Sequence, residues 1–154
     1  SPLVDDHMGM LSSGVSNAVL TYEESWSGSN LGAALSEARR DDLRRGTTTV
    51  GPHRDGVSIT LDNLGARHHS SQGEQRSLAL AMRLAGHHLV FEHTGMRPVV
   101  LLDDVFSELD PDRSTALIAL LPKAQAVLTS AGNLPTGVVA DHWYRIAAGS
   151  VEVQ

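Results

Sequence analysis

From Leu31 to Leu43 the apolar residues Leu31, Ala34, Leu35, Ala38 and Leu43 return every three or four positions, which predicts an amphipathic helix. Ser29 or Asn30 can cap its start and Gly46 can end it. The β-branched stretches "TTTV" (47–50) and "VSITLD" (57–62) predict strands, separated by "GPHRDG" (51–56), whose Gly-Pro and Asp-Gly pairs mark turns. "LDNLGARHH" (61–69) predicts a hairpin turning at Asp62 to Gly65. Helical spacing returns from Gly73 to about His93, with Leu78, Ala81, Met82, Ala85 and Leu89 on one face. A strand Val99 to Leu102, a helix from Asp112 to about Leu121 and a strand Ala126 to Leu128 follow. "WYRIAAGSVEVQ" (143–154) predicts a closing hairpin with its turn at Gly149 and Ser150. Helix and strand alternate in the second half, so the expected class is α/β with a parallel sheet flanked by helices.

Composition narrows this modestly. A chain of 154 residues, 41% hydrophobic, can bury one ordinary core. It starts at Ser1 rather than Met, the expected look of a trimmed chain. No apolar run approaches the roughly 20 residues of a membrane span, so no membrane partner is expected. Cysteine is absent, which excludes disulfides and thiolate metal sites and suits a reducing cytoplasm. The net charge of −6 is carried by acidic ends around a nearly neutral middle. No basic face is visible, so any nucleic-acid contact must rest on a local patch or on parts outside this chain.

Chemistry concentrates in "VVLLDDVFSELDPDR" (99–113), where four apolar residues run into Asp103 and Asp104. In a parallel sheet, strands are covered on both faces and ligands bind beyond their carboxyl ends. Adjacent carboxylates there repel, and a bound cation such as magnesium offsets that repulsion. One would hold the metal, directly or through water, and the other would orient or deprotonate a water. The plain alternative is a solvated strand end before an acidic helix start, since Asp110 and Asp112 suit a helix N-terminus. The second stretch is "SSQGEQRSLALAMRLA" (70–85). Ser71 and Glu74 form a capping-box pattern, while Gly73 leaves first-turn amides uncovered for an anion. Capping alone accounts for these residues equally well.

Together the two stretches resemble the signature motif and the Walker B strand with D-loop of ATP-binding-cassette ATPases. The wording is most similar to the DNA-repair branch that includes SMC and RecF-like proteins, and "EARRDDLRRGTTTVGPHRDG" (37–56) resembles the segment that precedes the signature in the RecF-like branch. The resemblance covers roughly residues 20 to 130. It implies the C-terminal portion of an ABC-type P-loop ATPase head, with a lobe segment in 1–70 and the signature helix, Walker B, D-loop and last strands in 71–154. It implies ATP and Mg2+ as cofactors, Asp103 on the metal and Asp104 polarising the attacking water. Ser71, Gln72, Gly73 and Glu74 would reach the γ-phosphate across an ATP-dependent homodimer, and Ser107 and Asp110 of the D-loop would line the same interface. The switch histidine of transporters is unmatched, and Thr129 or Ser130 falls near its place.

No glycine-rich loop ending in Lys-Ser/Thr is present; the only lysine is Lys123. The expectation is a fragment that binds ATP weakly or not at all alone. The other candidates carry less. His68-His69 and His87-His88 are adjacent pairs and lack the spacing of helical metal ligands. Arg54 either contacts phosphate or DNA, or locks its own turn through Asp55 or the backbone. Arg39, Arg40, Arg44 and Arg45, interleaved with acids, read as a solvated face, and Trp26, Trp143 and Tyr144 as packing residues.

By resemblance the function is that of half an ATP-driven clamp on gapped, single- or double-stranded DNA. It would support recombinase loading in recombinational repair, with RecR and RecO as partners. Two alternatives stand beside it. One is a metal-dependent nuclease or phosphotransferase built on Asp103 and Asp104. The other is an interaction module without catalysis.

Overall fold

The computed structural model describes residues 1–12, 17–26 and 30–153, which form two compact units, Ser1–Ala85 and Gly86–Gln154. The first holds helix α1 (Pro2–Leu11), strand β1 (Ala18–Glu23), helix α2 (Leu31–Arg45), a 3-10 turn Pro52–Arg54, strands β2 (Gly56–Leu61) and β3 (Leu64–Gly65), the short helix α3 (Ala66–His69) and the start of helix α4 (Gln72–Thr94).

The sequence patterns above did not include α1 and β1. Yet Val4, Met8 and Leu11 form a buried stripe at helical spacing, and Pro2 sits in the first turn, where its missing N–H is harmless. The Asp5 carboxylate accepts a hydrogen bond from the Ala18 N–H at 2.7 Å, tying α1 to the first residue of β1. β1 lies antiparallel to β2, from Ala18 opposite Leu61 to Glu23 opposite Gly56. β2 turns into β3 through Asp62 and Asn63, both at positive φ, a type I′ pattern that matches strand twist. The expected hairpin forms, but its turn is confined to Asp62 and Asn63 rather than running to Gly65, and Leu64–Gly65 make a two-residue second arm that winds into α3.

The expected helix α2 is capped by the Asn30 side chain, which accepts from the Ala33 N–H at 2.9 Å, and it ends at Gly46 in the left-handed region. Ser29, the other candidate cap, lies outside the described residues. The burial of α2 departs from expectation: Ala34 is buried, but Leu43 is 67% exposed, and Asp42 is buried in the apolar residues' stead. The Asp42 carboxylate accepts from the Thr49 N–H at 2.9 Å and the Thr49 hydroxyl at 2.7 Å. Those two bonds claim the threonine run, and residues 47–50 form no strand. Local side-chain bonding of this kind competes with a sheet ladder. In α4, Ser77, Leu78, Ala81, Leu84 and Ala85 are buried, while Met82 and Leu89 of the expected face are exposed.

The second unit holds the end of α4, strand β4 (Val100–Asp103), a 3-10 turn Val105–Glu108, helix α5 (Pro111–Leu120), strand β5 (Ala126–Thr129) and the strands β6 (Tyr144–Ala147) and β7 (Ser150–Val153). β4 and β5 pair in parallel, from Val100 opposite Ala126 to Asp103 opposite Thr129, with α5 as the crossover between them. Among the described residues of this unit Phe106 and Leu117 are the buried apolar ones, and the hydroxyl-bearing Ser114 of α5 is buried too. The apolar run at β4, expected to be covered on both faces, is open on one: Leu101 is 72% exposed. β6 and β7 form the expected closing hairpin, but its turn is at Ala148 and Gly149, both at positive φ, one residue earlier than read. Trp143 and Tyr144, expected to pack, are exposed. Among the described residues no helix is long and apolar enough to cross a membrane.

Candidate functional site

Asp103 is the last residue of β4, and the strand's pairing register sets Thr129 of β5 directly beside it. The Thr129 hydroxyl donates a hydrogen bond to Oδ1 of Asp103. The next residue, Asp104, leaves the strand abruptly at φ +48° and ψ +26°, in the left-handed region, and opens the 3-10 turn. Its N–H is shared between the Thr129 carbonyl at 3.2 Å and the Thr129 hydroxyl oxygen at 3.1 Å. Its carbonyl accepts from the Ser107 hydroxyl at 2.8 Å, and one carboxylate oxygen accepts from the Ala131 N–H at 3.5 Å. Asp103, Asp104, Ser107 and Thr129 are therefore brought together at the carboxyl end of the parallel pair, all of them exposed.

Asp110 has a separate task. Its side chain caps α5, accepting from the Arg113 N–H at 2.9 Å, and its other oxygen pairs with the Arg113 guanidinium at 3.1 Å. Proline at the first helical position and an acid in the first turn complete a strong helix start.

Ser71, Gln72, Gly73 and Glu74 lie at the beginning of α4, in the first unit. The capping box is formed: the Ser71 N–H donates to Glu74 Oε2 at 2.7 Å, and the Glu74 N–H donates to Ser71 Oγ at 3.3 Å. The Gln75 carboxamide donates to the Ser70 carbonyl at 3.0 Å and fixes the approach to the helix. Ser71 and Gln72 are exposed, and Gly73 and Glu74 are half-buried.

"GPHRDG" forms a self-contained polar turn. Arg54 donates from Nε to the Thr48 carbonyl at 2.9 Å and from Nη2 to the Thr47 hydroxyl at 3.1 Å. Of the two readings for Arg54, these contacts are those of a turn locked on the backbone. Asp55 accepts from the Tyr22 hydroxyl and, at 2.9 Å, from the Ser25 N–H. The hydrogen bond to Asp55, with smaller contributions from desolvation and nearby acids, raises the Tyr22 pKa. Desolvation works to raise Asp55, but the bonds from Tyr22 and Ser25 and the charge of His53 outweigh it, and its carboxyl is held below the usual range.

The Asp103–Asp104 pair suits magnesium, which takes one or two carboxylates and fills the remaining positions with water and phosphate oxygens. Oδ2 of Asp103 stays outside the hydrogen bonds described above and is available as a single-oxygen ligand. Among the described residues there is no group of three or more His, Cys, Asp or Glu side chains able to enclose an ion. Of the paired histidines, His87 meets the Pro98 carbonyl at 3.0 Å and His88 meets Glu92 at 3.2 Å.

A parallel strand pair ending in adjacent acids, followed by a turn and a capped crossover helix, and preceded in the chain by a capped signature-like helix, has the form of the C-terminal part of an ABC-type P-loop ATPase head. Comparison with known proteins carries this to a family. No protein-family model matches the chain. It is 39% identical over 163 residues to the DNA replication and repair protein RecF of Streptomyces avermitilis, taking in 98% of this chain and 43% of that protein. RecF of Agathobacter rectalis is 35% identical over 154 residues, with 98% and 42% covered, and RecF of Myxococcus xanthus is 44% identical over 126 residues, with 79% and 33% covered. Among solved structures, the recombination mediator protein RecF of the RecFOR pathway matches 99% of this chain and 44% of its own. The TM-score is 0.75 at 27% identity for RecF-ATPrS and 0.74 at 26% for RecF-ATP. The chain is RecF-like and corresponds to the C-terminal portion of such proteins. It spans well under half the length of the relatives it matches, 33 to 43% of the three above.

Proposed function

We propose that this chain supplies the signature, Walker B and D-loop half of a RecF-like, ATP-dependent DNA-repair protein. In this reading ATP and Mg2+ are bound jointly with a phosphate-loop half, two heads close on the nucleotide as a homodimer, and closure grips DNA at gaps to support recombinase loading. RecR and RecO are the protein partners, and the setting is cytoplasmic. The observation that carries the reading is the end of β4, where Thr129 fixes Asp103 and Asp104 as a pair at the edge where an α/β sheet binds ligands.

The roles are those the family resemblance implies, and the placement of the residues supports them. Asp103 would hold the cation, with Oδ2 the oxygen outside the Thr129 bond. When bound, Mg2+ neutralises charge developing on the phosphate oxygens. Asp104, one residue on and turned by its left-handed backbone, holds the attacking water and accepts its proton. Ser107, hydrogen-bonded to the Asp104 carbonyl, steadies that turn from the D-loop side. Ser71 and the first-turn amides of α4 offer donors to a phosphate oxygen of the opposite head. Asp110 caps α5 and so holds the D-loop's end in place.

The test is ATP hydrolysis with magnesium by the chain alone, by its mixture with a polypeptide carrying the phosphate-loop half, and by the same mixture with Asp104→Asn. The chain alone is expected to be inactive and the mixture active, and the substitution should lower the rate by roughly 10²- to 10⁴-fold. A folded mixture that stays inactive with DNA present would favour an interaction module. Cleavage of DNA with magnesium and no nucleotide would favour a nuclease.

A further inference from the structure

We infer that Thr129 is the positioning residue of the Asp103–Asp104 pair, selecting by its single hydroxyl which Asp103 oxygen meets the cation and pinning the turn that aims Asp104. The catalytic part of this inference rests on the ATPase reading above; the geometric part does not.

The direction of each bond is settled by chemistry. A hydroxyl has one proton to give and lone pairs to receive with. A backbone N–H can only donate, so the Thr129 oxygen accepts from Asp104 at 3.1 Å. Its proton is then free for the Asp103 carboxylate, and the bond to Oδ1 uses it. Oδ1 thereby carries the bond from Thr129, and Oδ2, outside the hydrogen bonds described, is the oxygen left better able to take a ligand. A cation held here would meet Asp103 through one oxygen, directly or through a water, and Thr129 would set which oxygen that is without itself touching the cation.

Thr129 is built for this. It stands opposite Asp103 in the parallel register, so both side chains leave the sheet on the same side. Its β-branch restricts χ1, which keeps the hydroxyl aimed without an external brace. The same residue closes the turn a second time through its carbonyl, which accepts from the Asp104 N–H at 3.2 Å. Asp104 holds a left-handed conformation that aspartate enters more readily than most non-glycine residues, and the forked bond to Thr129 keeps it there. A side chain that orients a metal ligand typically governs metal affinity or activity by 10- to 100-fold.

The experiment compares Thr129→Val, which keeps the β-branch and shape and deletes the hydroxyl, with Thr129→Ser, which keeps the hydroxyl. Two quantities are read: amide hydrogen exchange at Asp104, in the chain and in its mixture with the phosphate-loop half, and the magnesium dependence of ATP hydrolysis, in the mixture. Thr129→Val is expected to speed Asp104 exchange by roughly tenfold through loss of one of its two acceptors. It should also raise the magnesium concentration at half-maximal rate by roughly 10- to 100-fold. Thr129→Ser should restore most of both. If Thr129→Val leaves both exchange and magnesium dependence unchanged, the inference is wrong. If it changes exchange but not magnesium dependence, the clamp is only structural and the positioning role is overturned. A mixture in which even the unsubstituted chain is inactive refutes the ATPase reading, and Mn2+ binding to the mixture, weakened by Thr129→Val and recovered by Thr129→Ser, then decides the positioning role.

Discussion

The two halves of the capping box at α4 are unequal, and that inequality is measurable. The Ser71 N–H reaches Glu74 Oε2 at 2.7 Å, a short bond to a carboxylate, whereas the Glu74 N–H reaches Ser71 Oγ at 3.3 Å, beyond the usual N–H···O distance near 2.9 Å. Replacing an N-cap serine by alanine costs about 0.5–2 kcal/mol, and the long bond sets Ser71→Ala near the bottom of that range, about 0.5 kcal/mol. Glu74→Ala removes a charge-assisted bond, about 1 kcal/mol once exposure of Ser71 is allowed for. It also removes an acid from the positive end of a helix, about 0.3–1 kcal/mol more. The expected total for Glu74→Ala is about 1–2 kcal/mol, clearly above Ser71→Ala. Urea unfolding followed by far-UV circular dichroism measures both. A loss for Ser71→Ala equal to or larger than that for Glu74→Ala would refute this reasoning. The same pair bears on function. If Ser71 also donates to a phosphate, Ser71→Ala lowers ATP hydrolysis in the complemented mixture by roughly tenfold or more, out of proportion to its small effect on stability.

Two further outcomes are expected. Leu117 is fully buried in the second unit, so Leu117→Ala should destabilise that unit by about 2–5 kcal/mol in urea unfolding, while the volume-conserving Leu117→Met should cost less than about 1.5 kcal/mol. The Tyr22–Asp55 contact makes the first unit pH-sensitive on both sides. Because the folded Asp55 pKa is lowered, its contribution is present above the unfolded value near about 4 and is lost as pH falls through the folded value; because Tyr22 is raised, its contribution is present below about 10 and is lost as pH rises through the folded value. Tyr22→Phe should flatten both limbs in a pH titration of unfolding, and an unchanged acid limb would count against the contact.

Legibility in the sequence followed how local each cause was. α2 and α5 could be read because their caps, Asn30, Gly46 and Asp110, act within a few residues. β4 and β5 could be read from short apolar runs, and their parallel pairing from the helix between them. The threonine run at 47–50 misled because its strand propensity yields to Asp42, a residue whose burial inside a polar helix face no periodicity announces. α1 was missed although Val4, Met8 and Leu11 carried a helical signal; β1 was missed because its partner β2 lies some forty positions away and only tertiary pairing makes it a strand. At the candidate site, Asp103 and Asp104 stood out as adjacent acids after an apolar run. Thr129 stands out in the sequence only as an occupant of the place near the switch histidine of transporters. Its actual contacts depend on the register of β4 against β5, which a linear reading does not contain.

The left-handed turn at Asp104 biases the mutations this position can absorb. Glycine, asparagine and aspartate enter that dihedral region at little expense, while longer side chains resist it. Glutamate would preserve the acid and gain reach, at a larger backbone cost than aspartate in this region. Asparagine and glycine sit comfortably in the same turn and delete the carboxylate. Drift at this codon is thus asymmetric. The replacements that fold without protest are the ones that silence the group, and so a lineage relaxing its demand for the reaction would keep a well-formed protein long after losing the chemistry.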